Sequence, residues 1–155
     1  MHSGCANDTY FSGHLFSNLS VNHATETAVP LVYDEIKNML FFTPNITIQK
    51  AGLYRVDGAL AFADQGSPAT LPYSRQMRIC VNGVIAILAT ADIPNSLSTA
   101  GALTTVHGQN FLRLAVGDVV SLRAYQTSGV PMPIIGGVLA NAPYSSLRIE
   151  CIELK

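Results

Sequence analysis

Gly52-Leu53-Tyr54-Arg55-Val56-Asp57-Gly58-Ala59-Leu60-Ala61-Phe62 decides the fold class. Tyr54, Val56, Gly58, Leu60 and Phe62 fall on one face of an extended chain, and Leu53, Arg55, Asp57 and Ala59 fall on the other. Period two over this length marks a strand with one face in a core. Gly52 precedes the aromatic strand, where a side chain would crowd a turn.

Working outward, the same kind of run recurs in both directions. Upstream lie strand regions at Phe11–Val21 and Thr27–Tyr33, then Met39–Phe42 and Ile46–Gln49 around a Pro-Asn turn. Downstream, Arg75–Val81 ends in Asn82-Gly83, the strongest short hairpin signal, and Val84–Ala91 returns from it. Ala102–Leu114 is long, Gly117-Asp118 is a turn, Val119–Gln126 alternates, and Tyr144–Leu154 closes the chain. Only Tyr33–Leu40 carries a helix signal, of a turn or two. Eight to ten short strands at this spacing predict an all-β sandwich or jelly roll.

Composition narrows the function classes. Of 155 residues, 48% are apolar and 12% charged, against roughly 25% charged in an ordinary soluble domain. That shortage of polar cover predicts self-association. No apolar run approaches the ~20 residues of a spanning helix, so membrane insertion is not expected. Nine scattered Lys and Arg and a net charge of −1 argue against nucleic acid as a partner. Cys5, Cys80 and Cys151 have neither disulfide nor zinc spacing; Cys80 and Cys151 are expected to be buried free thiols. The opening MHSGC has no apolar leader-like run, so no secretory signal is expected in it.

The order of the turns and strands resembles the C1q/TNF-like jelly-roll family. Lys50-Ala51-Gly52-Leu53-Tyr54-Arg55-Val56 with Phe62 resembles the family's glycine-leucine-tyrosine strand. Arg78-Ile79-Cys80-Val81-Asn82-Gly83 resembles its hairpin, and Leu112 to Leu122 resembles its strand–Gly-Asp–strand segment. Ser145-Ser146-Leu147-Arg148-Ile149 resembles its last strand, and Thr27–Asp34 with Phe42–Ile48 its opening. The resemblance spans about residues 10–154, and the pattern is nearest the stalkless bacterial and bacteriophage versions. It implies a ten-stranded jelly roll over residues 10–155, after an N-terminal extension at 1–9, that assembles as a homotrimer. It further implies a non-enzymatic structural or binding module on a particle surface: a virion decoration, head fibre or tail-appendage knob. The alternative is a secreted or spore-surface ligand. Expected partners are the protein itself, other virion or surface proteins, and a host-surface glycan or protein.

In the family the first, last, third and sixth main strands form a sheet whose outer face turns toward the threefold axis. Leu147, Ile149 and Cys151, Met77, Ile79 and Val81, and Val120, Leu122 and Ala124 are the apolar sets expected inside. Their alternates, Arg78, Arg123, Tyr125, Arg148 and Glu150 with Ile152, are then expected together on the opposite face. That face is either solvated or the trimer interface, with Glu150 pairing an Arg. The apolar stretch holding Val130, Met132, Ile134, Ile135, Val138 and Leu139 lies in a Gly- and Pro-rich loop. It is expected either to pack within the assembly or to meet a foreign partner. The polar loops Gln65–Pro72 and Ile93–Gly101 are further recognition candidates.

No catalytic pattern appears. His2, His14, His23 and His107 lack metal-ligand spacing, and the first three are expected in solvent. No dense acidic loop suggests calcium, and no cofactor is expected. Sequons at Asn7, Asn18 and Asn45 read as chance outside a secretory setting.

Overall fold

A computed structural model describes residues 8–64, 73–93, 103–139 and 142–154. The elements are β1 (Tyr10–Leu15), β2 (Leu19–Val21), β3 (Thr27–Ala28), β4 (Leu31–Lys37), β5 (Met39–Phe42), β6 (Asn45–Ile48), β7 (Gly52–Ala63) and β8 (Tyr73–Val81). They continue with β9 (Val84–Ile93), β10 (Leu103–Leu114), β11 (Val119–Gln126), β12 (Met132–Ile134), β13 (Val138–Leu139), β14 (Ala142–Pro143) and β15 (Ser146–Leu154).

Ten of these build the sandwich. The first sheet runs β4-β1-β15-β7-β10 and the second β5-β6-β11-β8-β9, antiparallel throughout. Two five-stranded sheets in this strand order make a jelly roll. Short strands extend them: β12 takes over from β15 beside Phe62 of β7 and carries β2, while β3 pairs with β11. β13 and β14 form a separate small hairpin.

The expected alternation decides the core. Tyr54, Val56, Leu60 and Phe62 of β7 and Leu147, Ile149 and Cys151 of β15 are buried. Facing them from the second sheet are Ile46, Ile48, Met77, Ile79, Val120, Leu122 and Ala124. Each buried Val, Leu, Ile, Phe or Met among them contributes about 1.5–3 kcal/mol by leaving water. Cys80 and Cys151 are both buried, as expected, and Cys80 is a free thiol.

The two turn motifs meet in space. Asn82 and Gly83 take φ of 53° and 81°, and Gly117 takes 92°, the left-handed region these turns require. Asn82 donates from Nδ2 to Asp118 Oδ1 at 3.0 Å and accepts the Val119 amide on Oδ1 at 2.9 Å. Asp118 Oδ2 accepts the Ala115 amide at 2.8 Å. The β8–β9 hairpin is thereby latched to the turn before β11.

Three local expectations change. Tyr33–Leu40 has no helical turn; most of it is edge strand β4, paired to β1 with a register shift at Ser12/Gly13. Strand pairing outweighs the weak helical propensity there, and Asn38, at φ 57°, turns the chain into β5. The region Phe11–Val21 breaks at Phe16–Asn18, and Thr27–Tyr33 is divided ahead of Leu31. Residues 1–7, with His2, Cys5 and Asn7, and the loops at 65–72 and 94–101 lie outside the described residues.

Candidate functional site

The outward face of the first sheet carries Arg148 and Glu150 from β15, beside Arg55 and Asp57 of β7 and Tyr10 and Ser12 of β1. Arg55 pairs directly with Glu150, and Arg148 Nη2 stands 4.0 Å from the same carboxylate. His107 of β10 lies 3.2 Å from Asp57, and His14 of β1 lies 2.8 Å from Asp34 of β4. His14 is thus a nearly buried, paired residue, not the solvated one expected, because the β1–β4 pairing sets Asp34 against it. Ile152 is partly exposed at a register shift in β15.

A groove crosses this face over β1. Ser12 and Gly13 are small, while Glu35, Arg148 and Glu150 stand on either side. One stretch encloses about 260 Å³ against Tyr10 and Glu150, and the next about 280 Å³ against Asp34 and Pro143. Gly13 has no room for more, since a Cβ there would lie 2.7 Å from the Val32 carbonyl oxygen. At the other flank of the sheet, β10 exposes Leu103, Phe111 and Arg113.

Arg78, Arg123 and Tyr125 are elsewhere. They lie on β8 and β11, on the outward face of the second sheet. The single charged face expected for Arg78, Arg123, Tyr125, Arg148 and Glu150 is therefore two faces on opposite sides of the sandwich. Alternation within a strand tells inside from outside; it does not say which sheet the strand joins. Arg78 stacks on Tyr125, its Cζ 4.0 Å from the ring centroid. Glu26, from the segment before β3, bridges Arg78 at 2.8 Å and Arg123 at 2.7 Å. Hydrogen bonds from Arg78 and then Arg123 hold the Glu26 carboxyl below the usual carboxylate range. Beneath, burial pushes the Cys80 thiol up. Glu26 itself was legible only as an exposed acid, since its partners are 52 and 97 residues away.

The apolar loop also divides. Met132 and Ile134 form β12 and are fully buried, so they have no surface to offer a partner; Val130 and Ile135 are half-buried. Val138 and Leu139, in contrast, are 51% and 61% exposed on the small hairpin, near Phe16 at 71%. The base of that hairpin is held firmly. Ser145 Oγ donates to the Ile135 carbonyl and accepts the Ala61 amide, and Gly137 donates to the Leu15 carbonyl.

One buried polar pair was not expected. Arg75, on the same strand face as Met77 and Ile79, binds Asp64 at 2.5 Å, both almost wholly buried. Tyr73 reaches the same carboxylate. The signal was present: alternation places Arg75 on the core face. Among the described residues no three His, Cys, Asp or Glu side chains cluster as metal ligands.

No family model matches the sequence, and no curated protein does. Solved structures do match in fold. A TNF, Eiger, from S. frugiperda superposes with a TM-score of 0.62 at 11% identity over 92% of each chain. Murine APRIL gives 0.60 at 11% identity, over 92% of this chain and 98% of its own. The globular domain of zebrafish complement 1qA gives 0.58 at 10% identity, over 96% and 100%. The chain is an all-β jelly roll of the C1q/TNF-like fold.

Proposed function

We propose that the protein is a non-enzymatic surface module that assembles as a homotrimer through the outward face of its first sheet. The observation that carries this reading is the asymmetry of that face. One flank, β10, presents exposed Leu103 and Phe111 with the cation Arg113. The other flank is a groove edged by three carboxylates, Asp34, Glu35 and Glu150, against the single cation Arg148. An apolar, basic edge and an acidic groove on one sheet suit a head-to-tail contact between copies, and such contacts close into rings. Arg148, Glu150 and Ile152 lie within this contact. The scarcity of surface charge in the sequence has the same explanation.

Sedimentation at micromolar concentration should give three chain masses; a monomer rejects the reading. Phe111→Glu should release monomers, because it buries an unpaired charge. Glu150→Ala should weaken the trimer by leaving Arg55 and Arg148 unpaired. A trimer indifferent to both places the contact elsewhere.

The exposed Val138 and Leu139, set on a firmly held hairpin, are the proposed contact with the carrier structure or with a receptor protein or glycan. The carrier is read as a virion, from the motif resemblance to stalkless bacteriophage domains. The fold neighbours suit an extracellular ligand equally well, which is the second reading. Capsid or tail genes beside this one, and the protein in purified particles, support the first; its release free into medium supports the second.

A further inference from the structure

Arg78 and Arg123 stand directly opposite each other on β8 and β11. Like charges so placed repel unless something lies between them. Each guanidinium is fixed before anything else binds. Gln76 Oε1 accepts from Arg78 Nε at 3.0 Å and Nη2 at 2.7 Å, and the Tyr125 ring supports its face. Ser121 Oγ accepts from Arg123 Nε at 3.2 Å. Glu26 then places one carboxylate oxygen on each guanidinium: Oε2 on Arg78 and Oε1 on Arg123. Two cations and one anion leave the cluster with a residual positive charge, in a chain whose net charge is −1.

Glu26 comes from an exposed segment, residues 22–26, that lies between strands. The side chains of Arg78, Arg123 and Glu26 remain 17%, 30% and 29% exposed. We infer that Arg78 and Arg123 form a carboxylate-binding site with Glu26 as its tethered occupant, and that an acidic side chain of a protein partner takes Glu26's place. The geometry for a carboxylate is already realised by Glu26, and charge-assisted bonds from preset guanidiniums are the strong kind. A protein suits the surroundings better than a sugar does. Leu88 pairs with Arg78 and Ile85 with Cys80 across β8–β9, and both Leu88 and Ile85 are exposed. An acidic residue followed by an apolar one would satisfy both. The site lies on the sheet opposite the proposed trimer contact, so it does not depend on that reading.

Glu26→Gln keeps the side-chain shape and frees the arginine pair. The probes are the blocked dipeptide acetyl-Glu-Leu-amide and, separately, glucuronate, at constant ionic strength set with chloride. The readout is the NMR shift of the Arg78 and Arg123 Nε–H groups. Glu26→Gln should bind the dipeptide about tenfold more tightly than the parent protein, and more tightly than glucuronate, with the gain lost on adding Arg123→Gln. Glu26→Ala repeats the test should the glutamine variant fold poorly. Equal affinity with and without Glu26, or no saturable shift in either protein, overturns the site. Glucuronate binding as tightly as the dipeptide overturns the assignment to a protein partner.

Discussion

Gly58 and Gly108 face each other across β7 and β10, and Met77 of the opposite sheet fills the space their side chains would take. A Cβ would come within 2.8 Å of Met77 Sδ at Gly58 and within 2.9 Å of its Cε at Gly108. Side-chain size at these two positions therefore sets how closely the sheets approach. On the outer surface, Glu26 is held between two cations, Arg78 and Arg123. Its pKa is lowered by Arg78 and Arg123, so the bridge stabilises the fold above the ordinary Glu range. That stabilisation is lost as pH falls through the depressed value. Melting curves should show Glu26→Gln less stable than the parent at pH 7, with the gap narrowing below about pH 4.5. A gap independent of pH would mean that the carboxylate charge is not the cause.

At the scale of elements, the most informative unit is the latch between the β8–β9 hairpin and the turn before β11. Asn82-Gly83 and Gly117-Asp118 are each legible as turns from composition alone. Their mutual hydrogen bonds are not, because they join residues 36 and 37 positions apart. Asn82→Ala removes both side-chain bonds and leaves a non-glycine residue without its polar group at positive φ. It should cost about 1–3 kcal/mol, read as a lower urea midpoint at unchanged slope. A neutral result would assign the latch no energetic role. The same distinction explains β4. Its sequence, Leu31–Lys37, has no clean alternation, since five of its seven residues are exposed. Pairing with β1 makes it a strand.

At the scale of the whole molecule, the two outward faces have separate tasks in this reading. The first sheet is the proposed contact between copies, and the second carries the arginine pair on the opposite side of the sandwich. Arg78→Gln with Arg123→Gln should therefore leave the sedimentation mass unchanged, while Phe111→Glu lowers it. Loss of the trimer in the arginine variant would put the second sheet in the contact. Alternation along each strand determined, from the sequence alone, which side chains enter the core: Tyr54, Val56, Leu147, Ile149, Met77 and Leu122 are buried where the period places them. Turn residues determined where strands end. Both are local properties, legible within a few residues. Which strands share a sheet depends on backbone pairing between distant segments. Only the tertiary structure decided that Arg78 and Arg123 belong with Glu26, that Arg148 and Glu150 belong with Arg55, and that Met132 and Ile134 leave the loop for the core.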